Sequence, residues 1–192
     1  MKGPAPRFTK QHVWKTIHSI GENKTLSRKN LTRNVGVGEG SIRTILTQLK
    51  KKNFIKITQS GVSLTEKGKK FLNRFALQTS QLPQTKLTVA KYNFGVLIRK
   101  KAHKISSGIE QRDTAIKAGA VGATTIIYKN KKPVFPDANY DIEKKEPALA
   151  SSLHSKFMPE DDDVIIIGSA NSLRIAEEGA LAAALELVKL QI

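Results

Sequence analysis

The sequence predicts an α+β protein of two domains. A basic, mainly helical domain is expected over residues 1–78, a linker over 79–88, and a small α/β layered domain over 89–192. Charge gives the first indication: residues 1–80 hold 17 Lys and Arg against 3 Asp and Glu, whereas 81–192 hold 16 against 13. Most of the net charge of +17 therefore lies in the first part. Hydrophobic spacing gives the second. Apolar residues recur at intervals of three and four through most of the first 75 positions, whereas the rest of the chain mixes short β-like runs with helical ones. The third is the stretch 78–88, which is polar, contains Pro83 and has neither period. A chain of 192 residues can supply both domains with a core.

In the first domain, Thr9 caps a helix whose Val13, Trp14, Ile17 and Ile20 share one face, ending at Gly21. A polar turn over 22–25 leads to a second cap, Ser27. The short helix after it turns Leu31 and Val35 inward and Arg28, Lys29 and Arg33 outward. Glycines within 35–41 break that helix, because glycine accepts the positive φ of a sharp turn. A third helix buries Ile42, Ile45, Leu46 and Leu49 and presents Ser41, Arg43, Thr44, Thr47, Gln48, Lys50 and Lys51. That mixture of hydroxyl, amide and cationic groups suits phosphates and the base edges of a major groove. For Lys50, Lys51 and Lys52, a solvated helix end that complements the dipole is the alternative. Residues 54–58 alternate as a strand, Gln59, Ser60 and Gly61 make a tight turn, and 62–64 return. Thr65 caps a fourth helix with Glu66 in its first turn and Phe71, Leu72 and Phe75 inward.

In the second domain, 94–98 reads as a strand and 99–104 as a basic loop without aromatic residues to stack bases. Residues 109–119 read as a helix with Ile109, Ile116 and Ala120 as its apolar stripe and Arg112 and Asp113 in the middle of it. A hairpin follows over 123–128 and 134–135, then a helix marked by Leu149, Leu153 and Phe157. The uninterrupted apolar run 164–167 belongs near the middle of a sheet. The last helix, from Ser172 to about Leu190, carries Ala176, Gly179, Ala180, Ala183 and Ala184. These small residues admit a close neighbour, either the domain's own sheet or a second copy.

Two places in this domain are candidates for an effector. The turn containing Gly168, Ser169, Asn171 and Ser172 joins a buried strand to a helix N-terminus, where free amides and the dipole suit an anion. An ordinary strand-to-helix connection capped by Asn171 or Ser172 explains it as well. Charges on a core face need a partner, so Arg112, Asp113 and Lys117 point either to an effector pocket or to a structural ion pair.

Several classes of chemistry find no support. Cysteine is absent, and the four histidines are scattered, with His12 and His18 six apart rather than at a ligand spacing. No metal site or cofactor is expected. There is no phosphate-binding Walker loop and no nucleophile–base constellation, so an enzyme is not expected. The first 20 residues lack an apolar core and no run approaches the ~20 residues that span a bilayer. A cytoplasmic protein without a membrane partner is the expectation. The basic first domain suits a polyanion, which on charge alone is duplex DNA, ribosomal RNA or acidic lipid.

The segments Leu26-Ser27 through Leu31, Val35-Gly36-Val37, Ile42-Arg43, Leu46, Leu49 and Leu64-Thr65-Glu66-Lys67-Gly68 together resemble the winged helix-turn-helix of bacterial and archaeal regulators. The resemblance implies that residues 1–78 are a DNA-binding winged helix. It also implies that Arg43 stands where several such families place a DNA-contacting arginine. The chain departs from the pattern at Gly38, where Ser or Thr is common, and at Glu39, whose charge opposes phosphate. Glu39 reads either as a helix-stabilising acid or as an acceptor for a cytosine amine.

Through Gln111-Arg112-Asp113, Lys117-Ala118-Gly119-Ala120, Gly122-Ala123-Thr124-Thr125 and Gly168-Ser169-Ala170, the chain is similar to archaeal proteins that pair a winged helix with an uncharacterised C-terminal domain. The implied function is a homodimeric transcription regulator. Its partners would be double-stranded DNA, held by Arg28, Lys29, Ser41, Arg43, Thr44, Thr47, Gln48, Lys50, Lys51, Gln59 and Ser60, and a small anionic or nucleotide-like effector. A nucleic-acid or RNA-polymerase-associated adaptor without an operator is the alternative, and a nucleotide-binding enzyme a more distant one.

Overall fold

Residues 8–23, 25–138 and 140–191 are described by a computed structural model. Lys24, expected in the polar turn after the first helix, lies outside them. The described residues form eight α-helices and two sheets, in two compact units that divide between Ala76 and Leu77.

In the first unit, α1 (Lys10–Glu22) begins at Thr9, whose amide donates to His12 Nδ1 at 3.0 Å. Helix α2 (Arg28–Val35) is capped by Ser27, whose hydroxyl oxygen accepts from the Asn30 amide. It stops at Gly36, where φ is 80°, a conformation that costs glycine nothing and turns the chain sharply into α3 (Glu39–Lys51). The inward side chains of these helices, among them Ile17, Leu31, Ile42, Ile45 and Leu49, are fully buried in a common core. The hairpin β1 (Ile55–Thr58) and β2 (Gly61–Leu64) closes one side of that core with Ile55 and Val62. Leu26 and Val62 exchange backbone hydrogen bonds of 3.1 and 2.9 Å, which ties the α1–α2 turn to the hairpin. Helix α4 (Glu66–Arg74) starts at Thr65, whose oxygen accepts from the Gly68 amide and whose hydroxyl donates to the Asn53 carbonyl.

The second unit is built on a five-stranded sheet. Its strands are β3 (Leu77–Leu82), β4 (Tyr92–Ile98), β5 (Gly122–Lys129), β6 (Lys132–Val134) and β7 (Val164–Ala170). Their order is β3-β4-β7-β5-β6, with every neighbouring pair antiparallel. The expected linker therefore needs correction. Residues 79–82 are part of an edge strand in register with β4, Leu82 opposite Asn93, and the backbone pairing supplies an order that their Gln, Ser and Thr side chains do not announce.

Strand β7 is central and buried along its whole length, as its apolar run requires. Ile165 and Ile167 face Leu149, Leu153 and Phe157 of α7 (Pro147–Phe157), with Ile142 of the short α6 (Ile142–Lys145) alongside. The opposite face is covered by α8 (Leu173–Leu187). It approaches so closely that a Cβ on Gly168 would collide with the Ala176 carbonyl and the Ala180 amide. The small residues of α8 are thus spent within its own unit, Ala176 and Ala180 against the sheet and Gly179 against Ala115 and Ala120 beside α5, and Ala183 and Ala184 are buried as well.

Helix α5 (Ile109–Lys117) packs beside α8, and here the structure departs from the expected stripe. Gln111 and Ala115 face inward, whereas Ile109 and Ile116 are 50% and 46% exposed. The cause is the short distance between the helices: Gly179 of α8 lies against Ala115 and Ala120, which leaves no room there for an isoleucine. The basic loop also has internal work. Arg99 Nη1 donates to Asp163 Oδ2 at 2.7 Å, and the Lys100 and Glu160 amides donate to the same fully buried carboxylate at 2.9 and 2.8 Å.

Candidate nucleic-acid interface

The amphipathic spacing of α3 separates two surfaces. Ile42, Ile45, Leu46 and Leu49 anchor the helix, so Arg43, Thr44, Thr47, Gln48, Lys50 and Lys51 are left exposed and Ser41 half-buried. Beside this outer face runs an open groove of about 540 Å³, lined by Arg28 of α2, Arg43, Leu46, Thr47, Lys50 and Lys51 of α3, and Ile57 of β1. Five of the residues expected to hold DNA are thereby brought to one surface. Lys29, Thr44 and Gln48 are exposed on the same helices without lining the groove.

Gln59 and Ser60 stand at the exposed hairpin tip, where Ser60 Oγ is 2.8 Å from Thr58 Oγ1. Ser60 lines a different depression, of about 670 Å³, with Lys56 of β1 and Lys69 of α4 among its other walls. Lys56, Lys69 and Ile57 were not among the expected site residues. The alternation of β1 carries the signal for the hairpin pair, since consecutive residues of a strand face opposite sides and serve different grooves.

The electrostatics of the groove are unfavourable to the isolated protein. Arg28 and Lys29 occupy the first turn of α2, which has no acidic residue there, so two cations meet the positive end of the helix dipole. Lys50 and Lys51, at the C-terminal turn of α3, complement the dipole and crowd one another. The acid on this face is Glu39, 3.8 Å from the Arg43 guanidinium, with both side chains largely exposed. A pair so open to water contributes little and does not immobilise the arginine. The threonines have a narrower role than their composition suggests. Thr44 and Thr47 donate their hydroxyls to the carbonyls of Gly40 and Arg43, at 3.0 and 2.9 Å, so they face outward as acceptors.

The expected effector residues of the second unit do not form a comparable site. Gly168 and Ser169 are inside β7 and buried, and Ser169 donates to Asn93 Oδ1 at 2.7 Å. Ser172 accepts from the Ile175 amide as the cap of α8, so the turn is a strand-to-helix connection with Asn171 exposed beside it. Arg112, Asp113 and Lys117 lie on the outer side of α5, where Arg112 and Asp113 bond to each other. Among the described residues no group of three or more His, Asp or Glu side chains is placed to hold a metal ion, and no helix is long and apolar enough to cross a membrane.

Comparison with known proteins adds two family matches and a structural relative. Residues 21–70 match the PH0730-like N-terminal domain, which takes in α2, α3 and the hairpin. The chain is similar to the solved structure of the hypothetical protein PH0730 from the archaeon Pyrococcus horikoshii OT3, with a TM-score of 0.75 and 26% identity over 95% of this chain and 94% of that one. No curated protein matches. Residues 89–187, more than half of the chain and the second unit from β4 through α8, match the model of a domain of unknown function, DUF4443, and the chain belongs to that family.

Proposed function

We propose that the first unit is a winged helix-turn-helix that binds double-stranded DNA, and that the chain is a dimeric transcription regulator. In this reading α3 enters the major groove, the β1–β2 hairpin is the wing against the backbone, and Arg28, Arg43, Lys50 and Lys51 bind phosphates or base edges. The carrying observation is the groove of four cations between α2, α3 and β1. Two of its features have no folding advantage. Arg28, with Lys29 next to it, opposes the dipole of α2, and Arg43 has, among the described residues, only a loose, solvated partner in Glu39. Charge held at a cost to the monomer is accounted for by a polyanion that gathers it.

Fluorescence anisotropy on duplex DNA across a salt series tests the reading. Neutralising Z phosphates gives a slope of about −0.9Z in log K against log salt. The Lys50→Ala/Lys51→Ala double variant should flatten that slope by roughly 2, and Arg43→Ala should cost about 1–3 kcal/mol. Affinity indifferent to salt and to all three substitutions would refute the interface. Footprinting separates an operator-reading dimer, which protects a two-fold symmetric site, from an adaptor, which protects none.

A further inference from the structure

The outer face of α5 is apolar at both ends and charged in the middle. Ile109 and Ile116 are 50% and 46% exposed, although isoleucine is among the residues most often buried. Between them Arg112 and Asp113 are each half-exposed, with Arg112 Nη2 3.0 Å from Asp113 Oδ1. At 100° per residue, positions 109, 112, 113 and 116 fall within an arc of about 100°, opposite the buried Gln111 and Ala115.

The spacing of these four residues is self-complementary. When two copies of α5 run antiparallel about a two-fold axis between positions 112 and 113, Ile109 of each meets Ile116 of the other. The same axis sets Arg112 of each against Asp113 of the other. A two-fold interface requires that a residue meeting a second be met by it in return, and this face satisfies the requirement in both shape and charge.

We infer that α5 is the homodimer contact of this protein and that its partner is a second copy of the same chain, paired through Ile109–Ile116 and Arg112–Asp113. The inference deepens the dimer half of the proposed function and rests on that reading for its purpose. It replaces α8, whose small residues are buried inside their own unit against the sheet and α5. Each nine-residue helix is ~13 Å long, and the pair covers less than the ~1,600 Å² of a standard interface. The dimer is accordingly a weak, concentration-dependent one.

Sedimentation equilibrium of the full chain without DNA, over a wide concentration range, tests this. The wild type should pass from monomer to dimer mass as concentration rises. Arg112→Asp places two carboxylates against two carboxylates across the axis and Asp113→Arg two guanidinium groups against two, so each variant alone should dimerise roughly tenfold or more weakly. Mixed together, the two should recover dimerisation, because each now offers the charge that the other lacks. Far-UV spectra of the variants check that both fold. Monomer mass at every concentration, single variants that dimerise as the wild type does, or a mixture no better than its components would overturn the inference. Salt-dependent DNA binding by a strictly monomeric protein would overturn it while leaving the cationic groove intact.

Discussion

Replacing Asp163 by alanine should be among the most damaging single changes in the second unit. Its carboxylate is fully buried and accepts from Arg99 at 2.7 Å and from the Lys100 and Glu160 amides at 2.9 and 2.8 Å, joining the end of β4 to the segment that leads into β7. Removing one partner of a buried ion pair costs about 3–5 kcal/mol, and the Lys100 and Glu160 amides, which lose the same acceptor, belong to exposed residues and regain part of that loss from water. Arg99 is 38% exposed and donates also to the Met158 and Phe157 carbonyls, so water and these acceptors recover part of the loss.

The net expectation for Asp163→Ala is about 4 kcal/mol, a large share of the ~5–15 kcal/mol that stabilises a typical domain. With a urea dependence near 2 kcal/mol per molar, the midpoint followed by far-UV circular dichroism should fall by roughly 2 M. Trp14 is the sole tryptophan and lies in the first unit, so its fluorescence transition should move much less. A double-mutant cycle with Arg99→Ala should return a coupling of about 1–3 kcal/mol, which isolates the ion pair from the two amide bonds. A midpoint shift below about 0.5 M, small against the extrapolated 2 M, would refute the assignment of Asp163 as the joint between these segments.

Two further substitutions test other parts of the molecule. Tyr128 is buried, and its hydroxyl has no hydrogen-bond partner among the described residues. Burial, aided by the charge of Glu143, raises its phenol above the ordinary value near 10. The unfolded chain therefore releases this proton first, so the buried phenol leaves stability untouched below pH 10 and lowers it above pH 10 by about 1.4 kcal/mol per pH unit. Tyr128→Phe should remove that part of the alkaline slope and leave stability at pH 7 equal or higher, as urea melts at pH 7 and above pH 10 will show. On the face proposed to bind DNA, Glu39→Gln removes the acid beside Arg43. It should raise affinity at low salt by roughly two- to fivefold, or 0.5–1 kcal/mol, while costing α3 a favourable dipole interaction of about 0.3–1 kcal/mol. Unchanged anisotropy titrations at low salt would place Glu39 away from the bound phosphates.

The two halves of the chain differ in how much of their structure is written locally. Caps at Ser27 and Thr65, the left-handed Gly36 and the periodic burial of Ile42, Ile45, Leu46 and Leu49 are properties of short segments, and they could be read from neighbours in sequence. The cationic groove was legible for the same reason: once the inward face of α3 is known, Arg43, Thr47, Lys50 and Lys51 must be on the other. Its contribution from Arg28 and Ile57 depends on how α2 and β1 pack against α3, which no single segment specifies.

In the second unit, apart from the edge strand β3, the errors share a different cause, the closeness of α8 to its neighbours. A glycine and serine that suggest an anion-binding turn are buried in β7 because Gly168 lets the helix rest directly on the strand. The isoleucines that suggest an inward stripe on α5 are displaced outward because Ala115 fits against Gly179 and a larger side chain does not. The same tight packing that hid the core of this unit from sequence reasoning leaves Ile109 and Ile116 about half exposed. That exposed face of a helix whose stripe pointed inward in the sequence is the one on which the inferred pairing with a second copy rests.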